Sequence, residues 1–308
     1  MTDEVRPDEP TTCGYVALVG APNAGKSTLI NQLVGGKVSI VSPKVQTTRT
    51  RVLGILVEGN SQMILVDTPG IFGAPKRRLE RAMVKAAWTG AEEADVVVVV
   101  IDSHEGISND TKLLLENMKA DHKGRPVMLA LNKIDLIHRP KLLSLAQQAY
   151  ELFDFSGTYM ISASNGDGVD DLRGELATMM PEGPWLYPED QLADTPMRLL
   201  AAEFTREQLF LKLHEELPYS LTVETESWKE MKDGSARIDQ VIFIERESQK
   251  AIVIGAGGRM IKMVGEAARA QMSAAFEKSI HLFLHVKVRE GWSDERERYR
   301  DLGLDYDV

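Results

Sequence analysis

The chain has 308 residues, a formal net charge of −10, an isoelectric point near 5.2 and one cysteine. That length allows two domains, the lone cysteine excludes an internal disulfide framework, and the acidic total predicts weak non-specific binding to nucleic acid. No apolar run approaches the roughly 18–20 residues needed to span a bilayer.

Residues 1–12 are acidic and contain proline. They lack the basic and apolar stretches of a signal peptide and read as a flexible leader. Cys13 reads as a small apolar residue at a strand start. The apolar run 15–19 predicts a strand, and 28–35 predicts a helix. Between them lies Gly20-Ala21-Pro22-Asn23-Ala24-Gly25-Lys26-Ser27, followed by Thr28. This fits G-x-x-x-x-G-K-[ST] in the strand–loop–helix context that gives the pattern a mechanism. Glycines let backbone N–H groups face phosphates, and the helix N-terminus adds partial positive charge. Lys26 is expected to reach the β/γ-phosphates and Ser27 to ligate Mg²⁺.

The runs 52–57 and 62–66 predict an antiparallel pair joined through Glu58-Gly59-Asn60-Ser61. Asp67-Thr68-Pro69-Gly70 follows the second run, where an aspartate can hold Mg²⁺ through water and a glycine N–H can sense a γ-phosphate. A helix is expected over 77–91, a buried parallel strand over 95–101, a helix over 110–121 and a strand over 126–131. Asn132-Lys133-Ile134-Asp135 comes next. The Asp135 carboxylate can accept from guanine N1–H and its 2-amino group, a donor pair that adenine lacks. A helix over 140–153, a strand over 158–161, Ser162-Ala163-Ser164 and a helix over 169–179 complete the alternation. The pattern predicts a doubly wound α/β domain over 13–181. The prolines and acids of 182–197 read as an inter-domain linker.

The region 198–290 predicts an α+β domain, with a helix near 198–215 and strands over 221–228 and 237–246. Gly255-Ala256-Gly257-Gly258 then stands between an apolar strand ending in Val253-Ile254 and an amphipathic helix carrying Ile261, Val264, Ala268 and Met272. The alternating run 281–288 predicts a half-exposed strand. Between 250 and 290 seven Lys/Arg face three Glu, a local balance of about +4 that suits phosphates. The acidic segment 291–308, with Asp294, Glu295, Glu297, Asp301, Asp305 and Asp307, reads as a solvated tail that avoids RNA.

The ordered motif set over 13–181 resembles the translation-factor-type regulatory GTPases. The resemblance implies a GTP/GDP switch with Mg²⁺ and a switch I threonine in Gln46-Thr47-Thr48-Arg49. Thr48 is the expected metal ligand, with Thr47 second, and the backbone of Ser162, Ala163 and Ser164 is expected near guanine. Ras-type enzymes carry a water-orienting glutamine after the D-x-x-G glycine. Ile71 stands there, and its side chain cannot hydrogen-bond, so slow intrinsic turnover is expected. Asn23 resembles the asparagine that helps some relatives hold K⁺, which makes K⁺ a candidate activating cation. Arg77 and Arg78 rank below it.

The wording V-I-G-x-x-G-x-x-I-K resembles type II KH domains, which implies that Gly255, Ala256, Gly257, Gly258, Arg259 and Lys262 clamp an RNA backbone. Q-T-T-R, Phe204-Thr205-Arg206-Glu207 and Glu215-Glu216-Leu217-Pro218-Tyr219-Ser220 extend the likeness. From about 13 to 290 the chain resembles the Era family of bacterial GTPases. That resemblance implies a ribosome-assembly factor that binds the 3′ end of 16S rRNA on the 30S subunit, cytoplasmic and monomeric, with peripheral membrane association. It also suggests that GTP orders the loops near Thr48 and 67–78 and alters RNA access. A tRNA-modification GTPase is a second reading, but it requires a C-terminal reactive cysteine where this chain has only Cys13. A binding-only module with a vestigial site is a third, opposed by the complete set Lys26, Ser27, Asp67 and Asp135.

Overall fold

The computed structural model describes residues 10–44, 47–49, 52–70, 75, 77–121 and 124–308. Most of the expected leader, Gln46 of the Q-T-T-R motif and the Ile71 position lie outside these residues. The chain divides into two units: 1–39, 48–194 and 302–308 form the first, and 40–47 with 195–301 form the second.

The first unit is built on β1 (Thr12–Val19), β2 (Val52–Glu58), β3 (Ser61–Asp67), β4 (Val96–Asp102), β5 (Val127–Asn132) and β6 (Gly157–Met160), in the order β2-β3-β1-β4-β5-β6. All pairs are parallel except β2–β3, whose antiparallel register runs from Val52–Asp67 to Glu58–Ser61. Gly59 takes a φ of 55° in that turn, a region open to glycine at no steric cost. Helices α1 (Lys26–Val34), α2 (Arg78–Glu93), α3 (Asn109–Asp121), α4 (Arg139–Leu152) and α5 (Val169–Thr178) cover the sheet.

Strand alternation produces two cores. Val16, Leu18, Val98 and Val100 face one way, among Leu29 and Leu33 of α1 and Leu172 and Leu176 of α5. Ala17, Val19, Val97 and Val99 face the other, among Leu114 and Leu115 of α3 and Leu145 and Ala149 of α4. A strand covered on both faces reads as a continuous apolar run, as β4 does. Each such side chain contributes about 1.5–3 kcal/mol by leaving water. In this order β1 lies between β3 and β4, so the loop after β1 opens at the switch point where α/β sheets bind ligands.

Two boundaries differ from the sequence reading. Thr12, expected in the leader, begins β1, and Thr11 O accepts from Gly183 N at 3.0 Å. The expected linker is bonded to the first unit as far as Asp194. Gln62 Oε1 accepts from Leu186 N and Tyr187 N at 2.8 and 3.0 Å, and Ile55 N donates to Leu192 O at 2.9 Å. The exposed edge of β2 offers unpaired backbone groups, and this strap satisfies them.

The second unit contains α6 (Met197–Lys212), β7 (Leu221–Glu230), β8 (Ala236–Ile244), α7 (Glu247–Ile254), α8 (Arg259–Ala275), β9 (Ile280–Val288) and α9 (Arg296–Asp301). Its sheet runs β7-β8-β9, with β7 antiparallel and β9 parallel to β8. Val264, Ala268 and Met272 are the buried stripe of α8, as the periodicity predicts. The strand expected at Val253-Ile254 is instead the end of α7. Gln249 Oε1 accepts from the N–H groups of Glu245 and Arg246 at 2.9 and 3.0 Å, which starts a helix that the apolar pair conceals. The tail exposes Asp294, Glu297, Asp305 and Asp307 but buries Trp292, Tyr299 and Leu304, so it is not the wholly solvated segment expected. Trp292 and Tyr299 are 2% and 1% exposed, and Trp292 Nε1 donates to Ser220 O. Residues 302–308 belong to the first unit, where Tyr306 meets Arg78 and Asp305 meets Lys85.

Candidate nucleotide and RNA sites

The loop Gly20–Ser27 joins β1 to α1, and packing dictates its glycines. A Cβ on Gly20 would lie 2.4 Å from Val100 O, and one on Gly25 would lie 2.2 Å from Asn132 Nδ2, at a φ of +95° that already favours glycine. Gly70, from D-T-P-G, approaches so closely that its Cβ would stand 2.9 Å from Pro22 N and Cα. The third motif thus touches the first at its middle. Asn23 takes a left-handed φ of 63°, which asparagine tolerates better than most residues. Lys26 is buried, and its Nζ donates to Gly20 O and Ala21 O at 2.9 and 3.0 Å. Burial pushes its pKa down to about 8, with Asp67 opposing the fall. Phosphate oxygens arriving in this loop would push the pKa back up, holding the charged form more firmly.

Ser27, Thr48 and Asp67 converge. Ser27 Oγ is 2.9 Å from Thr48 Oγ1 and donates to Asp67 Oδ2 at 2.8 Å, and Thr48 Oγ1 donates to the same oxygen at 3.2 Å. Ser39 Oγ donates there as well, at 2.7 Å. Burial raises the Asp67 pKa, while Ser39, Lys26, Ser27 and Thr48 pull it back. Asp67 Oδ1 is buried and has no hydrogen-bond partner among the described residues. Two hydroxyls and a carboxylate with an idle buried oxygen form a hard oxygen donor set, and it fits Mg²⁺. Thr47 points elsewhere; its Oγ1 donates to Lys44 O at 2.7 Å, which favours Thr48.

Asn132 ties the remaining motifs together. Its Nδ2 donates to Ala24 O at 2.8 Å, and its Oδ1 accepts from Lys133 N at 2.8 Å and Ala163 N at 2.9 Å. Asp135 Oδ1 accepts from Ser162 Oγ at 2.5 Å, and Ser162 Oγ lies 3.0 Å from Ser164 Oγ. The structure therefore brings N-K-x-D and S-A-S to one place beside the first loop. Sequence reasoning missed Asp102, whose Oδ2 meets Lys133 Nζ at 2.5 Å. Its place at the C-terminal end of β4 was the available signal, since α/β sites gather there. It also missed Ser39, which no motif marks. Thr68 of D-T-P-G turns its hydroxyl inward, donating to Leu18 O at 2.7 Å.

The G-x-x-G loop links α7 to α8. Gly255, Gly257 and Gly258 have φ of 73°, 60° and 76°. A Cβ on Gly255 would strike Met260 at 2.7 Å, whereas Gly257 and Gly258 face open space. Ala256, Arg259 and Lys262 are exposed, and Gly258 caps the N-terminus of α8, where backbone N–H groups attract phosphate. Arg259 Nε donates to Ala256 O at 3.2 Å, and Lys262 pairs loosely with Glu266 at 4.0 Å. The thiol of Cys13 is raised by burial, consistent with a structural role. No helix of the described residues is long and apolar enough to cross a membrane.

Comparison with known proteins covers both halves. A family described as 50S ribosome-binding GTPase matches residues 15–133, and the KH domain family matches 216–293. GTPase Era of Brucella suis biovar 1 is 60% identical over 296 residues, covering 96% of this chain and 94% of the relative. GTPase Era of Bradyrhizobium diazoefficiens is 56% identical over 308 residues, covering 99% of each. Among solved structures, Era in complex with MgGDPNP and nucleotides 1506–1542 of 16S ribosomal RNA aligns with a TM-score of 0.89 at 38% identity, covering 95% of this chain and 99% of that one. An Aquifex aeolicus Era variant bound to GDP·AlF₄⁻ aligns equally well at 37% identity, again covering 95% of this chain and 99% of that one.

Proposed function

The chain belongs to the GTPase Era family, and from that membership we infer a GTP-binding, GTP-hydrolysing switch that binds 16S rRNA near its 3′ end and assists 30S subunit assembly. One observation carries this reading. The P-loop, N-K-x-D and S-A-S motifs, joined by hydrogen bonds, and an open G-x-x-G loop occur in one chain that Era relatives match over nearly its full length.

The residues divide the work. Backbone N–H groups of 20–28 and Lys26 would bind the phosphates, Asp135 would read guanine, and Ser162, Ala163 and Ser164 would line the base. Asn132 and Lys133 hold that wall against the loop, Lys133 through Asp102. Ser27, Thr48 and, through water, Asp67 would hold Mg²⁺, which supplies charge neutralisation at the β- and γ-oxygens. Thr68 and Pro69 set the turn that brings Gly70 N–H to the γ-phosphate. With isoleucine after Gly70, no side chain at that position orients the attacking water, so turnover is slow until the RNA engages. K⁺ would act beside Asn23. The left-handed backbone there accounts for an asparagine on conformational grounds alone, so only rates can decide for the ion.

Gly255, Ala256, Gly257, Gly258, Arg259 and Lys262 would clamp the RNA backbone. The GTPase domain is proposed as 13–181 together with the strap through Asp194, and the KH domain as 198–290 together with the residues through Asp301 that group with it. The protein is proposed as a cytoplasmic monomer with peripheral membrane association, the latter to be tested by sedimentation with anionic vesicles. The deciding experiment is phosphate release from GTP, with and without RNA copying the 3′ end of 16S rRNA, in K⁺ and in Na⁺. Slow turnover stimulated by that RNA is expected, and a higher rate in K⁺ would support the ion. RNA that neither binds nor stimulates would refute the assignment of the RNA partner.

A further inference from the structure

Asp67 closes β3 and is fully buried, and its two carboxylate oxygens have unequal surroundings. Oδ2 accepts from three hydroxyls, Ser27 Oγ at 2.8 Å, Ser39 Oγ at 2.7 Å and Thr48 Oγ1 at 3.2 Å. Oδ1 is buried with no hydrogen-bond partner among the described residues. Two of the three donors, Ser27 and Thr48, are also read as metal ligands. Ser39, buried as well, stands outside that set. It is held by Asn31 of α1. Asn31 Nδ2 donates to Ser39 O at 2.8 Å, and Asn31 Oδ1 accepts from Val38 N and Ser39 N, both at 2.9 Å. Val38 is packed with Leu29, Ile30, Leu33 and Val34, which presses the same segment onto α1. Ser27 and Asn31 are spaced i, i+4, so they stand one above the other on a single face of that helix. This face reaches Asp67 twice, directly through Ser27 and indirectly through Asn31 and Ser39. All of these residues belong to the first unit.

We propose that Ser39, held by Asn31, is a positioning residue for the Mg²⁺ site. It pins Asp67 Oδ2 and so keeps Oδ1 free for a water of the metal. The second torsion of an aspartate is broad and roughly two-fold, so its oxygens exchange places unless something distinguishes them. Ser27 and Thr48 have the metal to serve as well, and Thr48 is read as a ligand only in the GTP state. Ser39 needs neither the metal nor a γ-phosphate, because the Asn31 amide fixes its backbone from α1. The Asp67 carboxylate would therefore be oriented before the metal arrives. This rests on the reading of Ser27, Thr48 and Asp67 as the Mg²⁺ site.

The test is the rate of fluorescent GDP release against free Mg²⁺, together with the Kd for the same GDP in EDTA, in the wild-type protein, Ser39→Ala and Asn31→Ala. Wild-type release should slow as Mg²⁺ rises. Ser39→Ala should move the Mg²⁺ midpoint up by about 10-fold or more, the usual cost of losing a group that orients a metal ligand. Asn31→Ala should move it in the same direction, since the Ser39 backbone is then no longer fixed. GDP affinity in EDTA, where no metal contributes, should match the wild type in both variants. A wild-type midpoint in either variant overturns the proposal, and so does an equal loss of GDP affinity with and without Mg²⁺. If Ser39→Ala does not fold, Ser39→Cys, whose thiol is only a weak donor, decides by the same criteria. Wild-type release that ignores Mg²⁺ would sink the metal-site reading itself, and this proposal with it.

Discussion

Two glycine-rich loops in this molecule each open a helix, and their surroundings differ. The loop 20–27 is enclosed. Val100 and Asn132 press on places where its side chains would begin, Gly70 lies against its Pro22, and Lys26 is buried. The loop 255–258 is closed on one side only, by Met260, and its last two glycines face solvent. Both exploit a helix N-terminus, but enclosure decides what each can hold. A buried cradle suits one compact nucleotide whose every group is matched. An open rim lets a chain pass across it and enter or leave at either end.

If enclosure is the difference, equal substitutions should have unequal effects. The largest is expected for Gly25→Ala, where a methyl meets Asn132 Nδ2 and the φ of +95° is strained. Displacing Asn132 disturbs three hydrogen bonds, for about 3–4 kcal/mol in all, or more than about 100-fold in GTP affinity by nucleotide titration. Gly257→Asp comes next. Aspartate tolerates the left-handed backbone, so the fold should survive, while a negative charge at the clamp lowers RNA affinity by about 10-fold in filter binding. GDP affinity should not change. Gly258→Ala is the smallest, since nothing lies within 4 Å of the new methyl. The φ of 76° alone costs about 1 kcal/mol, to be read as a small shift in the urea midpoint. A Gly258→Ala effect as large as that of Gly25→Ala would break the comparison.

Local patterns were legible and distant partners were not. Gly20 to Ser27 is contiguous, and its strand and helix are adjacent in the chain, so the residues alone carry the geometry. Asp102 stands 31 positions before Lys133 and Ser39 stands 28 before Asp67, separations that only the folded sheet closes. The apolar pair Val253-Ile254 suggested a strand because two residues cannot distinguish periods of 2 and 3.6. Charge dominated the reading of 291–308, although Trp292, Tyr299 and Leu304, each buried, were visible among the acids. Nothing in the sequence signals that residues 40–44 group with a different unit from 48 and 49.

The strap of residues 182–194 along β2 bears on how the protein can be cut apart. A fragment ended at residue 181, where the motifs stop, would strip Ile55 N–H of its Leu192 partner and leave Gln62, among buried neighbours, without the Leu186 and Tyr187 amides. The bared strand would then be a template for another copy of itself, and such a fragment would tend to self-associate through that edge. Any excised GTP-binding piece intended to stay soluble must carry its chain on through Asp194.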